Sequence, residues 1–347
     1  MKKPLHFSSI LFAGLIAAVT FPVYAQNDMN TASSQILVGT FPAPPKGAGP
    51  GKLTMMSLPD GAVRVVDFGK AGTPDGNSFY VAADTHNHQL FVPTVAGTTQ
   101  VIDLRSGKPL RHFRSISGGR VAIVSPDHAL VFVLSGKALA AYSTVDGTQR
   151  YQVPVGGNAM AFNTDGSHLY VGGNMNESIA DIDPTTGHVI DTIPIGHSGD
   201  LAWAHGVLFS ANIKSGVMSA YKPETHHIYR IATNEVDPNF AYSKIPAATA
   251  GFMQLAVSPD QNTVYAAGFS GHILRFSSAD PTYLGQVKVS VGKAGPNRLS
   301  GLAMMPKTDQ AITTIENRRE SVVVDLHNGK VLKHLPNVAS NRWIVTR

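Results

Sequence analysis

Cysteine is absent from the 347 residues. That excludes a disulfide framework, a thiolate metal site, covalently attached c-type haem and a cysteine nucleophile. Tryptophan occurs twice, too seldom for the chain to resemble a large quinoprotein dehydrogenase. No stacked series of aromatic and basic residues suggests single-strand nucleic-acid binding. A Gly-rich phosphate loop opening a helix, an HExxH helix and a GxSxG elbow are all missing. Charge is sparse, with 28 basic against 23 acidic residues and a formal net charge of +5. This mild excess falls short of the dense charge of a dedicated nucleic-acid binder, so nucleic acid is not the expected partner. Beyond residue 25 no stretch is long and apolar enough to span a bilayer.

The start of the chain has the pattern of a secretory signal peptide. Lys2 and Lys3 form a basic n-region, Ile10–Val19 an apolar core, and Val23-Tyr24-Ala25 a small-residue cleavage site before Gln26. The apolar run is well short of the roughly 20 residues a membrane helix needs. The expectation is cleavage after Ala25, giving a periplasmic or secreted protein without a membrane span. Removal of Lys2 and Lys3 leaves the mature chain two charges less basic. Gln26–Ser34 is polar and reads as a flexible N-terminus, and 35–347 as one domain.

That domain repeats itself. In the stretch Gly157–Gly196, four short segments rich in Val, Ile and Tyr alternate with turn signals: Ala159–Asn163, Leu169–Gly172, Ser178–Asp183 and Val189–Ile195. Thr164-Asp165-Gly166 separates the first pair and Thr185-Thr186-Gly187 the last. The spacing predicts a four-stranded antiparallel sheet, too small to bury its own faces unless copies stack. Asp-Gly and Asn-Gly favour two-residue hairpin turns, and Pro-Asp joins a fixed φ to an Asx hydrogen bond. Such signals recur in phase: Ser106-Gly107, Ser125-Pro126-Asp127, Asp146-Gly147, Ser258-Pro259-Asp260 and Asn328-Gly329. They divide the chain into seven units. The fifth, Ser198–Ile231, is degenerate, with Ala204-His205-Gly206 as its first turn. A long insertion, Ala232–Gly251, follows it.

The first unit shows only three strand segments: Gln35–Thr40, Leu53–Ser57 and Val63–Phe68. After the seventh unit comes Asn341–Arg347, in the register of an innermost strand. Trp343, Ile344 and Val345 are costly to leave in water. Pairing this segment with the first unit completes its sheet and closes a ring without exposed edges.

LYVGGN followed by IADIDPTTGHVIDTIPIG resembles the YVTN-type β-propeller repeat. The matching positions are Ser258-Pro259-Asp260, Leu169-Tyr170-Val171, Ile182-Asp183 with Thr186-Gly187, and Ile193-Pro194-Ile195-Gly196. The resemblance implies an all-β fold, a seven-bladed β-propeller of four-stranded antiparallel blades, like the periplasmic YncE-like proteins, a WD40-like repeat architecture. Electron-transfer partnership with a quinoprotein is a further implication, resting on family analogy alone.

Many unrelated activities occupy propellers, so function must be argued from positions. The innermost strands should begin at a channel mouth near Asn77, Arg120, Asn158, Asp200, Met253, Ser300 and Arg342. Loops of that face add Lys70, Lys214, Lys293, Arg298, Arg318 and Arg319, opposed by Asp200, Glu235 and Asp237. Guanidinium groups grip carboxylate and phosphate bidentately. The expectation is a basic funnel in which Arg120, Asn158, Asp200, Arg298, Arg318 and Arg342 meet an anionic small molecule or polymer, or a periplasmic protein partner. Channel mouths are wet, and the plain alternative is that any polar residue serves there.

His88, His128, His168 and His205 each precede the second strand of successive units. Blade spacing should hold them too far apart for one ion, so no metal and no other cofactor is expected. His197 lies on the funnel side and is the best candidate for a titrating catalytic group. The leading hypothesis is a non-enzymatic binding or interaction module, expected to be monomeric. The alternative is an enzyme of the lactonase or isomerase type, pairing His197 with Arg120 or Arg298.

Overall fold

Short β-branched segments between turn residues form strands, and each group of four forms one sheet. The computed structural model describes residues 36–40, 52–58, 62–67, 80–213, 215–233, 252–291 and 297–346. The leader, residues 26–34, Asn77, Lys70, Lys214, Lys293, Glu235, Asp237 and all but the first two residues of the 232–251 insertion lie outside them. Among the described residues, helix is limited to two 3-10 turns, Pro223–Thr225 and Glu316–Arg318.

Blade 1 contains β1 (Ile36–Thr40), β2 (Lys52–Ser57) and β3 (Val63–Asp67). Blade 2 is β4 (Ala82–Asp84), β5 (Gln89–Pro93), β6 (Thr98–Asp103) and β7 (Pro109–Arg114). Blade 3 is β8 (Val121–Val124), β9 (Leu130–Leu134), β10 (Leu139–Ser143) and β11 (Gln149–Val153). Blade 4 is β12 (Ala159–Phe162), β13 (Leu169–Gly172), β14 (Ile179–Ile182) and β15 (Val189–Ile193). Blade 5 is β16 (Ser198–Ala204), β17 (Val207–Asn212), β18 (Met218–Lys222) and β19 (His227–Ile231). Blade 6 is β20 (Phe252–Val257), β21 (Thr263–Gly268), β22 (His272–Ser277) and β23 (Tyr283–Lys288). Blade 7 is β24 (Leu299–Met304), β25 (Gln310–Ile315), β26 (Glu320–Asp325) and β27 (Val331–Pro336). The last strand, β28 (Arg342–Val345), pairs with β1 and gives blade 1 the order β28-β1-β2-β3. The fold is a seven-bladed all-β propeller.

The degenerate fifth unit is a complete blade. Its first turn places His205 at φ 52° and Gly206 at φ 78°, the two positive angles a twisted two-residue hairpin requires. The Ser-Pro-Asp turns of blades 3 and 6 share one geometry. Ser125 Oγ donates to Asp127 at 2.5 Å and Ser258 Oγ to Asp260 at 2.5 Å. In each, the same carboxylate oxygen takes a backbone N–H two residues on, from Ala129 at 3.1 Å and Asn262 at 3.0 Å.

The core is divided as the blades are. Seven apolar clusters each fill the gap between two neighbouring blades, and the ring of gaps is complete. The gap between blades 7 and 1 is filled by Met56, Leu58, Ala303, Ile312, Leu335 and Trp343. The Trp343 ring is almost wholly buried and lies between two glycines. A methyl on Gly39 would stand 2.9 Å from its ring, and one on Gly301 would stand 2.8 Å from it.

Candidate functional site

Three neighbouring inner strands carry a bulge near their start. The register slips between Ser198 and Asp200 in β16, between Phe252 and Leu255 in β20, and between Leu299 and Leu302 in β24. A bulge interrupts its ladder locally and re-aims side chains. Here side chains of the preceding blade take two backbone amides near the slips. Asp200 Oδ2 accepts the Leu255 N–H at 2.7 Å, and Gln254 Oε1 accepts the Leu302 N–H at 2.9 Å. Gln254 Oε1 also accepts the Trp343 N–H at 2.8 Å, while its Nε2 donates to the Trp343 carbonyl at 2.7 Å. Blade 5 is thereby joined to blade 6, and blade 6 to both blade 7 and blade 1.

A further contact crosses the axis. Tyr80 lies ahead of β4 and pairs in parallel with Val121, exchanging backbone bonds with Arg120 and Ala122 at 3.1 Å each. Its hydroxyl donates to Asp200 Oδ2 at 2.7 Å, from blade 2 to blade 5. The Arg342 guanidinium stands 5.2 Å from the centre of the Tyr80 ring, a cation–π distance. Burial raises the Asp200 carboxyl above the ordinary carboxylate range, against the lowering pull of Arg342 and of the Leu255 and Tyr80 hydrogen bonds. Burial likewise raises the Tyr80 hydroxyl well above its usual value, helped by the Asp200 charge.

Above this crossing lies a cavity of about 850 Å³. Its walls come from blade-to-blade connections (Ser117, Arg120, Asn158), from the first residues of inner strands (Gly199, Met253) and from turns between second and third strands (Val95, Lys137, Met175, Ile213). Arg342 is buried yet reaches the cavity lining. Three cations, Arg120, Lys137 and Arg342, line it, and among the described residues no aspartate or glutamate does. Asn158 also lines it, tying two loops together: its Oδ1 accepts the Asn174 N–H at 2.7 Å and its Nδ2 donates to the Gly199 carbonyl at 3.3 Å.

The remaining sequence-predicted residues stand elsewhere. Asp200 is buried behind the lining as a hydrogen-bond acceptor rather than standing open at the mouth. Ser300 is buried, with its hydroxyl 3.4 Å from Asn341 Oδ1. His197 lies outside the lining; its Nδ1 is 3.1 Å from the Asn174 carbonyl and its Nε2 3.6 Å from Glu177. Arg298 and Arg318 belong to a separate group around blade 7, where the Glu316 amide donates to the Arg298 carbonyl at 2.8 Å. Burial raises the Glu316 carboxyl, with Arg298 and Arg342 opposing. His128 and His168 face carboxylates, Asp84 at 3.0 Å and Asp181 at 2.9 Å.

Sequence reasoning missed Tyr80, Gln254 and Lys137. Lys137 carried a readable signal, a cation in a turn between second and third strands. Tyr80 and Gln254 carried none: Tyr80 depends on Asp200, 120 residues on, and Gln254 lies within the slip of β20, which the two-residue period does not announce.

Solved structures share this architecture. The WD40 repeats of RRP9 superpose with a TM-score of 0.65 at 12% identity, covering 80% of this chain and 85% of that one. Kuenenia stuttgartiensis hydrazine synthase gives 0.61 at 12% identity, over 79% and 89% of the two chains. The Cps50 (Swd1) β-propeller domain of Myceliophteria thermophila gives 0.60 at 12%, over 82% and 98%. The likeness is one of fold. No family model matches the chain, and no curated protein matches its sequence.

Proposed function

We propose that the chain is an exported binding module of the YVTN repeat type whose cavity takes an anionic ligand. One observation carries this reading: Arg120, Lys137 and Arg342 line a single cavity to which no described carboxylate contributes. A volume of about 850 Å³ suits a small molecule. In this reading Arg120, Lys137 and Arg342 meet the anion, Asn158 shapes the wall, and Tyr80 with Asp200 fixes the Arg342 guanidinium. Arg298 and Arg318 add positive charge elsewhere on the same face. The composition of residues 1–25 supports export, and no helix among the described residues is long and apolar enough to cross a membrane.

The experiment is a thermal-shift and calorimetric screen of sulfate, phosphate and citrate against the wild type, Arg120→Ala and Lys137→Ala. Both substituted residues are exposed, and the melting temperature of each variant without anion checks that its fold is kept. A ligand that binds the folded protein raises its melting temperature. The expected result is a shift in the wild type that shrinks in both variants. No shift with any anion, or the same shift in all three proteins, overturns the reading.

A further inference from the structure

The cavity has two unlike sides. Its cations come from blades 1 and 3: Arg342 at the start of β28, Arg120 before β8, and Lys137 in the β9–β10 turn. On the other side, blades 4, 5 and 6 supply Met175, Ile213 and Met253. Three asparagines line that side, Asn158, Asn174 and Asn176, and the side chains of the first and last are engaged with the backbone. Asn158 bonds Asn174 and Gly199, and Asn176 Nδ2 donates to the Gly156 carbonyl at 2.7 Å. What that side offers a ligand is chiefly thioether and aliphatic surface.

Met175 adds a second observation. It is 70% exposed at the cavity rim. A methionine in water forgoes burial energy, and its flexible, polarisable chain adapts to varied apolar partners. An inorganic anion would fill a fraction of the volume and touch only the cationic side.

We propose that the ligand is an amphipathic organic anion, its charged head against Arg120, Lys137 and Arg342 and its apolar body against Met175, Ile213 and Met253. The proposal rests on the anion-binding reading and adds the chemical class of the ligand. A carboxylate or phosphate head on an aliphatic or aromatic body satisfies both sides at once.

The test is isothermal titration of the purified protein with acetate, butyrate, hexanoate and octanoate, with sodium sulfate and hexanamide as controls. The expected result is a Kd that falls about fourfold per added methylene until the apolar side is covered. Hexanamide should bind at least tenfold more weakly than hexanoate. Met175→Gln and Ile213→Thr should flatten the dependence on length while leaving sulfate unchanged; Met175 is exposed, so its variant tests the idea even if Ile213→Thr folds poorly. Arg120→Ala should weaken every carboxylate by a similar factor. Sulfate binding with a flat alkanoate series, or with no alkanoate binding, overturns the amphipathic ligand and leaves the anion reading standing. Hexanamide binding as tightly as hexanoate overturns the charged head. Binding of neither sulfate nor any alkanoate overturns both readings.

Discussion

Gln254 and Trp343 bond each other as two strands do: the side-chain amide donates to the Trp343 carbonyl at 2.7 Å and accepts its N–H at 2.8 Å. A side chain of blade 6 thus holds the strand that closes blade 1. The same oxygen takes the Leu302 N–H of blade 7. The closing strand has a second anchor in Thr314, whose hydroxyl accepts the Trp343 indole N–H at 2.9 Å and donates to the Ser340 carbonyl at 2.6 Å.

Replacing Gln254 by alanine leaves the buried Leu302 and Trp343 amides without their acceptor. Each such group costs about 1–3 kcal/mol. The expected loss for Gln254→Ala is about 2–5 kcal/mol, read as a lower midpoint in urea unfolding. A loss under about 0.5 kcal/mol would show that the stitch contributes little.

Two glycines should respond oppositely to a methyl group. On Gly301 it would stand 2.3 Å from the Ser340 carbonyl oxygen, which is backbone and cannot step aside. Gly136 has nothing within 4 Å of that position. Gly301→Ala should destabilise by about 1–3 kcal/mol, and Gly136→Ala should stay within about 0.5 kcal/mol of the wild type. Paired thermal melts of the two variants give the comparison.

Asp200 ties stability to pH through burial. Its folded-state pKa is raised, so the folded chain holds a proton that the unfolded chain has released. Its contribution therefore declines as pH rises from the unfolded value, about 4, through the raised folded value, and is constant above it. The stability of the wild type relative to Asp200→Asn should fall over that window and then level off. Urea titrations of both proteins at stepped pH measure the difference. A difference that grows in the wild type's favour would contradict the burial-dominated shift.

The turn aspartates act in the opposite sense. Hydrogen bonds from Ser and Thr hydroxyls and backbone amides lower the carboxyls of Asp103, Asp127, Asp165, Asp183 and Asp260, and that of Asp146 to about 2. A depressed folded pKa stabilises above the unfolded value, and the gain is lost as pH falls through the folded one. The protein should accordingly lose stability in steps below pH of about 4. Carboxyl carbon chemical shifts should place Asp146 near 2. Ser106→Ala should raise the Asp103 midpoint, since the Ser106 hydroxyl is the largest cause of its shift.

Strands and turns were legible because their determinants are local. The segment Leu169–Gly172 appears as read, and the other three strands of the Gly157–Gly196 stretch differ only at their ends by one or two residues. Closure was legible too, because Trp343 and Ile344 needed a partner and the first unit lacked a strand. The cavity was legible in part. Arg120, Asn158 and Arg342 follow from counting along the repeat, and they do line one space. The same counting leaves Asp200 and Ser300 at the mouth, whereas both are buried. A one-residue bulge shifts which side chain points inward, and nothing in a two-residue period announces it. Gln254 was hidden for that reason. Tyr80 was hidden because it reads as an ordinary strand residue until the ring brings Asp200 opposite it.

The pairing of β1 with β28 also sets a timetable. About three hundred residues separate the two strands, so β1 emerges early and must wait for its neighbour while most of the molecule is synthesised. Loop closure over such a span is entropically costly and slow. Until the final clasp forms, the earliest strand has one open flank, a row of backbone groups ready to pair with any other edge that reaches it first.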